Sequence, residues 1–187
     1  MMTALDMIDA VNDDLHELFS GYTLPNKAGI LQEVKIFSQY MPPPSGIVVT
    51  GTKPEYSSSD YEMNFPCIVI KTGEMTDKEE GRLDMTRVSL RLLFGVYAWS
   101  ESEDDEESRM FKVNAWRDVQ SMMDKVRWHW LKDRIIARKF RIEMPFVMKH
   151  LDEDTYPLFF GEINTLIEIG RPVRDYDYVY RGYLKNG

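Results

Sequence analysis

The sequence predicts an α+β fold: an antiparallel or mixed β-sheet covered by one long helix, plus an N-terminal helix and an extended C-terminal tail. Two observations carry this prediction. Segments with two-residue alternation of apolar residues flank a long segment with three- and four-residue spacing, and a separate amphipathic stretch precedes them all. We expect a single domain over residues 1–170, with a long irregular excursion at 22–64, and an extended arm over 171–187.

Alternation defines the predicted strands. In the segment 84–97, Val88, Leu90 and Leu92 alternate with polar residues, which is the period of a strand with one buried face. Pro145 lacks an N–H donor, so its strand is expected at a sheet edge or with a bulge. The polar stretch 72–81 is predicted as a hairpin loop. The predicted strands are 65–71, 84–97, 140–148 and 158–169, with short ones at 34–37 and 47–49 inside the excursion.

Two helices are predicted from apolar spacing. The first covers 3–19, where Thr3 can cap the helix, Asp6 lies three residues later, and Gly21 follows as a C′ residue. The second covers about 108–131, and its apolar stripe is expected to face the sheet. That stripe comprises Met110, Val113, Trp116, Val119, Met123, Val126 and Trp130.

Charges flank the long helix with opposite signs, which complements the helix dipole and also offers two surfaces for contact. The acidic candidates precede it: Glu101, Glu103, Asp104, Asp105, Glu106 and Glu107. The basic candidates lie at its end and beyond: Lys132, Arg134, Arg138 and Lys139. In the arm, alternate tyrosines are typical of an extended strand, which could strap back onto its own domain or add to a neighbour's sheet edge, and we expect the second. They are Tyr176, Tyr178, Tyr180 and Tyr183.

Composition narrows the function. The formal net charge of −8 argues against adhesion to nucleic-acid phosphates, and no apolar stretch reaches the ~20 residues of a membrane span. The single cysteine, Cys67, is expected to be buried and inert. His16, His129 and His150 are scattered, and no phosphate-binding loop, dinucleotide fingerprint or nucleophile elbow occurs. We therefore predict no enzymatic activity, no cofactor and no metal.

Several motifs between residues 65 and 170 form a recognisable series. They are Phe65-Pro66-Cys67-Ile68-Val69-Ile70, Leu92-Leu93-Phe94-Gly95-Val96-Tyr97, the acidic run, Val119 to Arg127, Phe140 to Pro145, and Tyr156-Pro157-Leu158-Phe159-Phe160-Gly161-Glu162-Ile163. This series resembles the neck and tail-terminator proteins of long-tailed bacteriophages. The resemblance implies a ring, usually hexameric, that caps the tail tube, stops its polymerisation and presents a surface to the head connector.

Further expectations follow from that resemblance. The partners would be other copies of the chain, the tail-tube protein and the head-closure or connector protein, with DNA passing through the lumen without specific binding. The protein would be assembled in the host cytoplasm and reside in the virion neck. From the charges of the chain itself, we expect the acidic run to meet the basic residues of the next copy, or to line the lumen. Two alternatives stay open: another neck component, such as a head-closure protein, or an acidic cytoplasmic binding or inhibitor module.

Overall fold

The computed structural model describes residues 3–41, 62–80, 83–98, 105–151 and 157–170, with backbone alone for 63, 78–80, 83–84 and 105–113. Within these ranges the protein is an α+β structure with two α-helices and a mixed β-sheet, so the predicted class is confirmed. The predicted strand at 47–49 and the arm at 171–187 lie outside the described residues.

Helix α1 spans Ala4–Phe19 and begins where the sequence indicates. The Asp6 amide donates to Thr3 Oγ1 at 3.2 Å and the Thr3 amide donates to Asp6 Oδ2 at 2.7 Å, which completes a capping box. Gly21 follows with φ of 72°, a conformation that favours glycine after a helix. The buried side of α1 consists of Met7, Ile8, Val11, Leu15 and Phe19. Helix α2 spans Asp105–Asp133.

Among the described residues, six strands form the main sheet in the order β3-β4-β5-β8-β7-β6. Strand β3 runs parallel to β4, and the remaining neighbours pair antiparallel. Strands β1 (Thr23–Pro25) and β2 (Leu31–Glu33) form a separate hairpin. The main-sheet strands are β3 (Lys35–Ser38), β4 (Cys67–Glu80), β5 (Leu83–Tyr97), β6 (Ile135–Ile136), β7 (Phe140–His150) and β8 (Leu158–Gly170). Glu62–Asn64 forms one 3₁₀ turn.

The main core lies on one face of this sheet. Alternate residues of β5 and β8, such as Leu92 and Ile163, point into it and are fully buried. Both helices contribute to the same cluster, and α1 contacts β3 and β6, the two outermost strands. The sheet therefore curls toward the helices. We call its other face the outer face.

Three sequence expectations need correction. The stretch 72–81 is not a loop: β4 continues to Glu80, with a register shift between Thr72 and Met75. The region 22–41 holds three strands, so the excursion is less irregular than predicted, although β3 matches the expected strand at 34–37. Trp116 is about half exposed, whereas Ala115 is buried on α2. The expected irregularity at Pro145 is confirmed by a register shift between Glu143 and Val147.

Beyond β3, the edge of β4 has no strand partner among the described residues. The β3 pairing covers Cys67 to Ile70, and the Gln39 side chain reaches Thr72. From Gly73 onward the described side chains up to Asp77 are exposed. This open edge is a consequence of the short length of β3.

Candidate functional site: the outer face of the sheet

The outer face carries two rows of charges that pair across strands. In the first row, Arg87 of β5, Glu168 of β8 and Arg141 of β7 are successive register partners. Each such neighbour lies about 5 Å away across the ladder, close enough for direct side-chain contact. The second row brings Arg91 and Lys149 to either side of Glu162. Each buried glutamate of β8 therefore lies between a cation on β5 and a cation on β7.

Glu162 is an ionised carboxylate held by three donors. Its side chain is 2% exposed, yet it accepts from Lys149 Nζ at 2.7 Å and Asn164 Nδ2 at 2.9 Å, and it pairs with the Arg91 guanidinium. Burial by itself raises the pKa of this carboxyl, but the hydrogen bonds from Lys149, Asn164 and Arg91 outweigh it, and the pKa is lowered overall.

The pKa of Glu168 shifts in the opposite direction, because burial and a like-charged neighbour both raise it. Burial raises its pKa, and the adjacent Glu143 carboxyl raises it further, while Arg141 and Arg87 oppose the shift. Arg87 contacts Glu143 at 2.7 Å and Glu168 at 3.4 Å, so one guanidinium serves two carboxyl groups. Glu162 and Glu168 are six residues apart on one strand, or about 20 Å. This distance is too long for a catalytic carboxylate pair, whose members lie within about 10 Å.

An apolar cluster lies beside the charged rows and contains residues from three of the sequence motifs. Phe65 and Phe160 meet edge to face, with ring centroids 5.7 Å apart. Gly95 lies directly beneath them: a Cβ at this position would fall 2.3 Å from Phe65 and 3.2 Å from Phe160. Cys67 pairs with Gly95, which in turn pairs with Phe160. The cluster also includes Val69, with Phe37, Met41, Leu93, Tyr97 and Leu158 packed around it.

Two neighbouring depressions mark this face. One, of about 520 Å³, lies over the apolar cluster and is bordered by Val69, Leu93 and Phe160. The other, of about 440 Å³, is bordered by Ser89, Asn164 and Leu166. Lys71 and Arg91 border both depressions, so positive charge stands between the two.

The predicted basic residues are exposed, and the structure brings three of them together. Arg134, Arg138 and Lys139 lie on the tight connection that leads from α2 through β6 to β7. Arg134 and Arg138 adopt positive φ values of 53° and 57°, which non-glycine residues seldom do. Hydrogen bonds hold this connection: the Arg134 amide donates to the Trp130 carbonyl and the Ile142 amide donates to the Arg134 carbonyl, each at 2.8 Å. Lys132 is exposed in the last turn of α2.

The other predicted candidates lie largely outside the described part. Glu101, Glu103 and Asp104 lie outside the described residues, as do the four tyrosines of the arm. The backbone of Asp105, Glu106 and Glu107 forms the first turn of α2. The expected meeting of this acidic run with the basic residues therefore stays a prediction.

The sequence interpretation missed a second acidic surface, on α1. The exposed carboxylates at spacings of three and four residues fall on the side of α1 opposite its buried residues, and they form what we call the acidic stripe: Asp6, Asp9, Asp13 and Glu17. The acidic stripe adjoins the predicted basic residues, because Lys139 lines the same cleft as these four acids. The pKa of Asp6 is lowered, chiefly by its hydrogen bonds with Thr3 and slightly by Lys139. The i, i+3, i+7, i+11 spacing of these acids could have revealed the stripe from the sequence alone.

The histidines and the cysteine have structural surroundings. His129 Nε2 lies 3.0 Å from Asp14 Oδ1, and the Trp130 indole donates to Asp14 Oδ2 at 2.7 Å, which ties α2 to α1. His150 contacts Gln120 at 2.8 Å and stacks on Trp116. Cys67 is buried, as expected, and burial raises the pKa of its thiol to about 12.

His, Cys, Asp and Glu side chains do not gather in groups of three or more that suit a metal ion in the described ranges. Neither described helix combines the length and the apolar character needed to cross a bilayer. No protein-family model matches the chain, and no curated protein sequence matches it significantly.

Proposed function

We propose that this chain is a structural virion protein that forms a ring at the head-proximal end of a phage tail. The ring, hexameric as in the family that the sequence resembles, would terminate tail-tube polymerisation and join the tail to the head connector. DNA would pass through its lumen without specific binding. The protein would have no enzymatic role and no cofactor.

One observation carries the proposal most directly: three of the motifs behind the resemblance meet at one place in the fold. Phe65 from the first motif, Gly95 from the second and Phe160 from the last form the apolar cluster. On the opposite face of the sheet, the adjacent Gly161 lies against the helix motif, because a Cβ there would lie 2.7 Å from Val119 and 2.8 Å from Met123. Motifs that are distant in sequence and adjacent in space are better explained by a shared fold than by chance composition.

The finer architecture is part of the same proposal. Helix α2 would cover the core side of the sheet along its length, with Val119, Val126 and Trp130 as its contact residues. Residues 171–187 would form an arm whose tyrosines dock on a neighbouring protein, since tyrosine offers a large contact area at low ordering cost. Copies of the chain, the tail tube and the head-closure protein would be the partners.

The test is made in the phage that encodes the chain. We expect antibody against it to label the junction of head and tail in electron micrographs of native particles. We expect deletion of the coding sequence to give separate heads and tails of irregular length. Label at the junction with tails of normal length would favour another neck component. If the particles are unlabelled and deletion of the coding sequence still gives normal particles, the virion role is rejected.

A second candidate, an acidic binding or inhibitor module, is favoured by the acidic stripe. Asp6, Asp9, Asp13 and Glu17 place four carboxylates on one exposed helix side over about 16 Å, a surface suited to a basic partner. This candidate predicts a protein that stays in the cytoplasm as a monomer or dimer. The same labelling experiment separates the two, because such a module would be missing from purified particles.

A further inference from the structure

The acidic stripe and the outer face lie on opposite sides of the molecule. The buried side chains of α1 enter the core on the inner side of the sheet, and the stripe points away from them. The charged rows and the apolar cluster lie on the other side of the same sheet. A stripe on one side therefore cannot reach the outer face of its own chain, but it can reach that of another copy.

The outer face has an excess of positive charge, although the whole chain is acidic. Outside the bulge in β4, the outward positions of β4, β5, β8 and β7 whose side chains the structure describes hold five cations and three carboxylates: Lys71, Arg87, Arg91, Arg141 and Lys149, against Glu143, Glu162 and Glu168. The carboxylates are buried beneath, with at most 16% of the side chain exposed, whereas Arg91, Lys149 and Arg141 are 46%, 58% and 70% exposed. A partner approaching this face meets mainly cations.

The dimensions and the apolar parts of the two surfaces also agree. From Lys71 on β4 to Lys149 on β7 is three strand spacings, or about 14 Å, and the stripe from Asp6 to Glu17 is about 16 Å long. Beside the stripe, Leu5 is 71% exposed. The apolar depression over Val69 and Phe160 adjoins the cations on the outer face. A helix lying across the strands would bring carboxylates to cations and Leu5 toward an apolar surface.

We propose that the acidic stripe of α1 in one copy docks across the outer face of the next copy. This inference rests on the self-association in the proposed function and names the two surfaces that make it. Because the surfaces lie on opposite sides of one chain, the contact is head to tail and each copy can accept one neighbour and dock on another. Such a contact closes into a ring when the rotation between copies permits.

The first test reverses one charge at a time. Asp9→Lys changes the stripe, and Asp133→Lys makes the same charge change at an exposed position of α2 outside the stripe. We expect Asp9→Lys to weaken self-association of the full chain roughly five- to tenfold, because a repulsion replaces an attraction, and Asp133→Lys to change it less than about twofold. Adding Lys71→Glu to Asp9→Lys should restore most of the lost association. Equal effects of the two single variants would overturn the inference, as would the lack of any rescue.

The second test maps the contact directly. A photo-reactive p-benzoylphenylalanine replaces Leu5, or Ile30 as a control of similar exposure on the β1–β2 hairpin, in a mixture of ¹⁴N- and ¹⁵N-labelled chains. Mixed-isotope cross-links from position 5 to β4, β5 or β8 would support the docking. Cross-links between copies at other surfaces would overturn the inference but leave self-association intact. If wild-type chains never associate and labelled particles also lack the chain, the proposed function fails as well.

Discussion

The two buried glutamates of β8 make a matched pair for testing the charged rows. Glu162→Gln and Glu168→Gln each remove one negative charge with little change in shape, six residues apart on the same strand. At neutral pH, we expect Glu162→Gln to destabilise the fold because Lys149 and Arg91 lose the carboxylate that they contact. We expect Glu168→Gln to be neutral or stabilising, since it removes a like charge beside Glu143 and leaves Arg87 paired with Glu143 at 2.7 Å.

The magnitude follows from the exposure of the partners. A hydrogen bond between charged groups contributes about 1.5–3 kcal/mol, but Arg91 and Lys149 are about half exposed, and solvent screens their interaction. We therefore expect Glu162→Gln to cost about 1–2 kcal/mol. For a chain of this size, that loss corresponds to a decrease in Tm of roughly 2–8 °C.

The pH dependence has opposite signs at the two positions. The pKa of Glu162 is lowered in the folded state, so its stabilisation is present above the unfolded value of 4.5 and is lost as the pH falls through the folded pKa. The pKa of Glu168 is raised, so its ionisation destabilises the fold as the pH rises from 4.5 through the folded pKa. The deficit of Glu162→Gln should fade in acid, and any gain of Glu168→Gln should fade there too.

The assay is urea unfolding followed by tryptophan fluorescence and circular dichroism, at neutral pH and again below pH 4.5. Glutamine at both positions together should give the sum of the single effects, because the side chains around Glu162 differ from those around Glu168 and the two sites are about 20 Å apart. Equal losses for the two single variants would refute this account of the rows. So would a Glu162→Gln deficit that is unchanged in acid.

Three further predictions concern packing and reactivity. Gly161→Ala should cost about 1–3 kcal/mol in urea unfolding, because its Cβ would lie 2.7 Å from Val119; a Gly161→Ala/Val119→Ala double variant should lose less than the sum of the two. Asp14→Ala should cost about 1–2 kcal/mol, since the Trp130 indole loses its acceptor across the helix interface, whereas Asp14→Asn should retain part of that stability. Cys67 should resist a thiol reagent in the folded protein and react fully in urea; rapid native labelling would contradict its burial.

Much of the fold could be predicted from the sequence because the patterns that indicate it are local. Strand β5 was predicted as 84–97 and spans Leu83–Tyr97, since alternating apolar and polar residues report one buried face directly. The cap of α1 was readable for the same reason. Strand β4 was predicted too short because the segment from Thr72 to Glu80 is mostly polar. Such a segment can still form a strand when it pairs with a neighbouring strand, as this one does with β5.

Much less of the candidate site could be predicted from the sequence. In the sequence, each charged residue of the first row is consistent with a solvated outward position. Only the register of three strands shows that Arg87, Glu168 and Arg141 form one row. The convergence of Phe65, Gly95 and Phe160 also depends on register, which sequence patterns do not supply. By contrast, the acidic stripe could have been found, because Asp6, Asp9, Asp13 and Glu17 follow helical spacing inside a helix that was predicted correctly.

Beyond β3, the edge of β4 has no strand partner in the described ranges, which bears on how copies of the chain would meet. Unpaired strand edges invite chain-to-chain ladders, and charged side chains along an edge discourage them. Beyond β3 the strand carries Glu74, Asp77, Lys78, Glu79 and Glu80, so two such edges brought together would set like charges against each other. These charges disfavour merging two sheets side by side, so the proposed contact between copies would stack one broad surface on another.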